Sequence, residues 1–79
     1  MKAHVYVTLK REVLDPQGDA VRRALGSLGF EGVKGVRVGK LIEIDLADRD
    51  EAAAREALAA MCEKLLANPV IEDFRFELG

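Results

Sequence analysis

Residues 33–46, VKGVRVGKLIEIDL, decide how this chain folds. Val36, Val38, Ile42, Ile44 and Leu46 share one parity, and Lys40 interrupts their row. Two readings compete. Gly39-Lys40 suits a type II′ turn, which would make a two-residue hairpin. That hairpin pairs Val38 with Leu41 and Val36 with Glu43. It also throws Ile42, Ile44 and Leu46 onto the face opposite Val36 and Val38. Splitting the apolar set is penalised when only one face is buried. A single continuous strand keeps all five residues together and is preferred, with Gly39 marking a bend or bulge.

Toward the amino terminus, residues 20–28 follow helical spacing: Ala20, Val21, Ala24, Leu25 and Leu28 form an apolar stripe. Gly29 is placed to end this helix in a left-handed conformation. Gly26 sits inside it, at about 1 kcal/mol relative to Ala, either for close approach to the sheet or as a tolerated defect. Asp15-Pro16 reads as a helix start, and Gly18 moves the expected regular start nearer Asp19. Residues 3–10 alternate strictly. Ala3, Val5, Val7 and Leu9 point one way, and His4, Tyr6, Thr8 and Lys10 the other, as in a half-buried strand.

Toward the carboxyl terminus, residues 50–67 predict a second helix, capped by Asp48 or Asp50, with Ala54, Ala57, Leu58, Met61 and Leu65 buried. Asn68-Pro69 stops it. Residues 70–78 predict a last strand with Phe74, Phe76 and Leu78 inward and Ile71, Asp73, Arg75 and Glu77 outward.

The order is β-α-β-α-β. Each strand has one apolar face and each helix one apolar stripe, so the expected fold is an α+β two-layer sandwich with both helices on one face of the sheet. The middle strand would span roughly 46 Å at about 3.3 Å per residue, nearly twice its neighbours. Its projecting half leaves backbone groups unpaired, and such edges recruit other strands. The sheet is therefore expected to continue through a dimer. A straightened hairpin exchanging halves between two ferredoxin-like units is the equivalent arrangement.

Composition narrows the function. The chain has 79 residues, 12 Lys+Arg against 14 Asp+Glu, and a formal charge of −2. One domain spanning residues 1–79 is expected, with a marginal core that gains from assembly. A mildly acidic chain without a basic stripe does not suit nucleic acid. No apolar run is long enough to cross a membrane. The amino terminus, MKAHVYVTLKRE, lacks the apolar stretch of a secretory signal, and Cys62 is the only cysteine, so a reducing cytoplasm is expected.

The inventory for chemistry is thin. His4 on a polar strand face reads as a solvated or interface histidine ahead of a general base. Cys62 reads as a packing residue, since its nearest charge is Glu63. The acids Glu43 and Asp45 share a strand face, where pairing with Arg37 or Arg75 is the simpler account than acid–base catalysis or metal binding. Gly35-x-x-x-Gly39-Lys40 lacks the full spacing of a phosphate loop. No catalytic, cofactor-binding or metal-binding residue is assigned.

Three segments together, LDPQG (Leu14 to Gly18), VRVGKLIEIDL (Val36 to Leu46) and CEKLLANPVIEDFRFEL (Cys62 to Leu78), closely resemble the PurS family. This is the small subunit of phosphoribosylformylglycinamidine synthase. The resemblance covers essentially the whole chain. It implies a non-catalytic subunit in purine biosynthesis that forms dimers or tetramers and joins a glutaminase, PurQ, to a synthetase, PurL. It implies no cofactor here, with ATP and Mg²⁺ used by the large partner, and support for ammonia transfer between the two sites. The candidate contact surfaces are the turn Asp15, Pro16, Gln17 and Gly18, the bend at Gly39 and Lys40, and the corner at Asn68 and Pro69. Local backbone geometry is the simpler account of Gly18 and Pro69. Lys40 is the strongest candidate, because it interrupts an apolar face. Two other classes remain at this point: a small-molecule-sensing regulatory dimer, and a small enzyme using His4 with the acidic strand face.

Overall fold

The structure is a computed structural model and describes residues 1–47 and 50–79. Its regular elements are β1 (Lys2–Leu9), α1 (Pro16–Ser27), β2 (Gly39–Asp45), α2 (Glu51–Met61), a π-helical turn (Cys62–Leu66) and β3 (Glu72–Leu78). The order is the expected β-α-β-α-β. The three strands form one antiparallel sheet in the order β2-β1-β3.

The sheet's inner face follows from the period-two patterns. Val5 stands between Ile42 and Phe76, and Ala3 between Ile44 and Leu78. Ala3, Val5 and Val7 are essentially sealed from solvent. Helix α2 covers this face with Ala54 and Leu58, and Cys62 of the π-helical turn completes the core. Asp50 caps α2 by accepting from the Ala52 N–H at 3.0 Å. The alternative cap, Asp48, lies outside the described residues.

Three expectations need correction. The first concerns the long strand. The parity of residues 33–46 is retained, but the hydrogen-bonded strand is only Gly39–Asp45, as short as its neighbours. A ladder needs a partner. β1 offers none beyond Thr8, which pairs with Gly39. Residues 33–38 run on without regular structure. The hairpin at Gly39-Lys40 does not form, nor does Gly39 bulge, because both residues stand in register in one ladder.

The second concerns α2. Leu65 is 82% exposed. The Ala67 N–H donates to the Cys62 carbonyl at 3.0 Å, a five-residue closure that widens the last turn. The added residue rotates Leu65 outward and brings the buried Ala67 and half-buried Leu66 to the core.

The third concerns α1. It begins at Pro16, not near Asp19, and its stripe is not covered within the chain: Gly18 is its only buried residue. Leu28, 74% exposed, and Phe30, 59% exposed, lie at its far end. Gly29, at φ +97°, ends the helix as expected. The Phe30 N–H donates to the Leu25 carbonyl and the Gly29 N–H to the Gly26 carbonyl, the paired bonds of a Schellman cap. Gly26 has no atom within 4 Å of where a Cβ would stand, so it is a tolerated defect and no close approach occurs there.

The result is an elongated molecule of 48 × 25 × 14 Å. Its radius of gyration is 15.9 Å, against about 12 Å for a compact chain of this length. One end is a packed sheet–helix unit. The other is an arm, residues 14–38, that carries apolar side chains into solvent.

Candidate functional site

The arm leaves and rejoins the sheet at a single place, and six of the eight candidate residues, all but Asn68 and Pro69, gather there. Asp15 is the centre. Its Oδ1 accepts from the Gly18 N–H at 3.0 Å, capping α1, and its Oδ2 accepts from the Val38 N–H at 2.8 Å. One carboxylate thus ties the first turn of α1 to the residue before β2. Asp15 is 8% exposed. The bonds from Gly18 and Val38 hold its carboxyl below the ordinary 3.8; burial opposes them, and the Arg37 guanidinium adds to the lowering.

Gly18 and Gly39 fit this junction for steric reasons. A Cβ on Gly18 would run into the Val36 carbonyl oxygen, and one on Gly39 would stand 2.6 Å from the Val7 carbonyl oxygen. Pro16 takes the first turn of α1, where its missing N–H is not needed. Lys40 stands opposite Val7 on the inner face of the sheet.

Between these groups lies a cavity of about 280 Å³. Val7, Leu9 and Val38 give it apolar walls, and Asp15, Gln17, Lys40 and Glu72 line it with polar groups. Asn68 and Pro69 form a separate corner outside it. That corner is joined to the cavity through Glu72, whose Oε1 accepts from the Asn68 N–H at 2.7 Å. The Asn68 Oδ1 in turn accepts from the Val70 N–H at 3.0 Å.

Arg37 is the residue that sequence reading missed in this role. Its guanidinium donates to the carbonyls of Lys10 at 2.7 Å, Leu9 at 3.1 Å and Val13 at 3.3 Å. It does not face the acidic strand pair. No local pattern could show this, since the partners are 24–28 residues away.

The outer face of the sheet holds the other polar residues. Glu43 lies 3.4 Å from Lys2 and 3.7 Å from His4, and Asp45 stands in register with Lys2. Arg75 pairs with Glu77 at 2.8 Å and sits 3.9 Å over the Tyr6 ring. Such exposed pairs are worth little in stability. Cys62 is buried, and burial first and the Glu63 charge second push its thiol up from the ordinary 9.0. Among the described residues no cluster of His, Cys, Asp and Glu has the arrangement of a metal site. Among the described residues no helix is long and apolar enough to cross a membrane.

Comparison with known proteins places this geometry. The family model described as PurS, phosphoribosylformylglycinamidine (FGAM) synthase, matches residues 2–79. The phosphoribosylformylglycinamidine synthase subunit PurS of Synechocystis is 53% identical over 74 residues, 94% of this chain and 74% of that protein. The crystal structure of Methanocaldococcus jannaschii PurS, one of the subunits of formylglycinamide ribonucleotide amidotransferase in the purine biosynthetic pathway, superposes with a TM-score of 0.86 at 45% identity. That match covers 96% of this chain and 92% of the other. A chain in the structure of PurLQS from Thermotoga maritima gives a TM-score of 0.88 at 32% identity over 96% of this chain and 93% of its own.

Proposed function

Because this chain belongs to the PurS family, we propose that it is the small subunit of a phosphoribosylformylglycinamidine synthase and works by joining a glutaminase, PurQ, to a synthetase, PurL. The whole complex converts formylglycinamide ribonucleotide and glutamine to formylglycinamidine ribonucleotide and glutamate with ATP. Support for the partnership comes from the likeness to a chain of the Thermotoga PurLQS structure. In this reading ATP and Mg²⁺ are used by the large partner, the complex works in the cytoplasm, and this chain supplies surfaces and no catalytic group.

The observation that carries the reading is the arm. A chain with Leu14, Leu28 and Phe30 mostly exposed has apolar surface left for another molecule. The first occupant of that surface is a second copy. Every copy carries the same apolar arm beside an open β2 edge, a self-complementary pair of features suited to a twofold contact. The resulting dimer is the body that bridges the two enzymes.

The chemistry gives such a bridge its purpose. Ammonia released into water at neutral pH is mostly protonated and diffuses away. A closed junction between two active sites keeps it neutral and raises its local concentration.

The test is reconstitution. Glutamine-dependent amidine formation by the glutaminase and synthetase is measured with and without this chain. The chain is expected to be required for coupled turnover while showing none alone. Equal rates in both mixtures would remove the role.

A further inference from the structure

We infer that Asp15 and Arg37 act together as a clamp at the base of the arm, fixing the direction in which α1 projects so that it is already oriented for a second copy. The inference rests on the self-association described above and adds the device that makes it efficient.

The arm is an excursion of more than twenty residues whose two ends return to one point. Asp15, at the outgoing end, holds the Val38 N–H of the returning end. Arg37, on the returning end, holds three carbonyls, Leu9 and Lys10 at the end of β1 and Val13 just before the arm. The two side chains thus reach across in opposite directions. Gly18 closes the gap, its missing side chain allowing the α1 backbone to lie against Val36. Beyond this base, no packing steers the arm, because α1 has no buried residue other than Gly18.

A lever held only at its base points wherever that base directs it. With the clamp released, the arm samples many directions and only a fraction suits capture. Both arms of a twofold dimer must point correctly, so the apparent dissociation constant rises by the inverse square of that fraction. A fraction of about one in three gives about a tenfold loss. The packed sheet–helix unit lies outside the clamp and keeps its own stability.

The experiment measures self-association of the full chain by sedimentation equilibrium, with amide hydrogen exchange on the same samples. The variants are Asp15→Asn, Arg37→Ala and their combination, with Arg55→Ala as control. Each single variant is expected to weaken the dimer about tenfold. The pair is expected to lose less than the product of the two, since one device is broken twice. Exchange at Gly18 and Val38 rises while Ala3, Val5 and Val7 stay protected. A dimeric parent whose variants associate unchanged overturns the clamp and leaves the assembly reading standing. Loss of protection at Ala3, Val5 and Val7 in both single variants also overturns it, since the two side chains then serve the core. A parent that stays monomeric at all concentrations overturns the assembly reading and the clamp with it.

Discussion

The two ends of this molecule have similar apolar sequence patterns and opposite fates. Along α2 and the π-helical turn that continues it, the stripe Ala54, Leu58 and Cys62 is fully buried, with Leu58 and Cys62 packed in one core with Ala3, Val5 and Val7 of β1. In α1 the stripe Ala20, Val21, Ala24, Leu25 and Leu28 contains no buried residue. Both helices have an acidic cap and an acid in the first turn. What differs is the neighbour. α2 returns over the sheet, whereas α1 is held by its base. An amphipathic pattern therefore states that a face needs covering, and leaves open which molecule covers it.

The largest test of this contrast is Leu58→Ala. Leu58 is entirely buried, so its truncation should cost about 2–5 kcal/mol in urea unfolding. A loss below that range would mean the packed end is looser than its burial implies. The two glycines of α1 come next. Gly18→Ala pushes a methyl group into the Val36 carbonyl and should cost about 1–3 kcal/mol, the usual range for overpacking. Gly26→Ala meets open space and should stabilise by about 0.5–1 kcal/mol, read as a raised melting temperature. Equal effects at the two sites would show that the base of the arm is no tighter than its middle.

The smallest effect is acid release of one contact. Asp15 has a lowered carboxyl pKa, so its bonds contribute fully above the ordinary value of 3.8. That contribution fades as pH falls below 3.8 and through the folded value. Exchange at Gly18 and Val38, corrected for its intrinsic pH dependence, should rise there in the parent and stay flat in Asp15→Asn. A flat parent profile would remove the carboxylate's role in the clamp.

Much of the packed end was legible in the sequence because its rules are local. Alternation placed Ala3, Val5 and Val7 inward, and likewise Phe74, Phe76 and Leu78. Gly29 marked a helix end and Asp15-Pro16 a helix start, though the regular turn begins earlier than Gly18 suggests. What stayed illegible depends on distant partners. Parity alone does not say that β2 stops at Gly39, because that limit is set by the end of β1. The π-helical turn moved Leu65 out of a stripe that spacing placed inward. At the candidate site, the residue types at positions 15, 16, 18, 39 and 40 stood out as turn signals. Their convergence did not, since the Asp15 to Val38 bond spans 23 residues.

The strand order has a consequence for how the chain is made. β1 is synthesised first, yet it occupies the middle of the sheet, between strands that begin at Gly39 and Glu72. Until β3 joins, one backbone edge of β1 has no partner strand. Completing the sheet therefore depends on pairing residues as distant in sequence as Ala3 and Leu78, a non-local contact of the kind that slows folding.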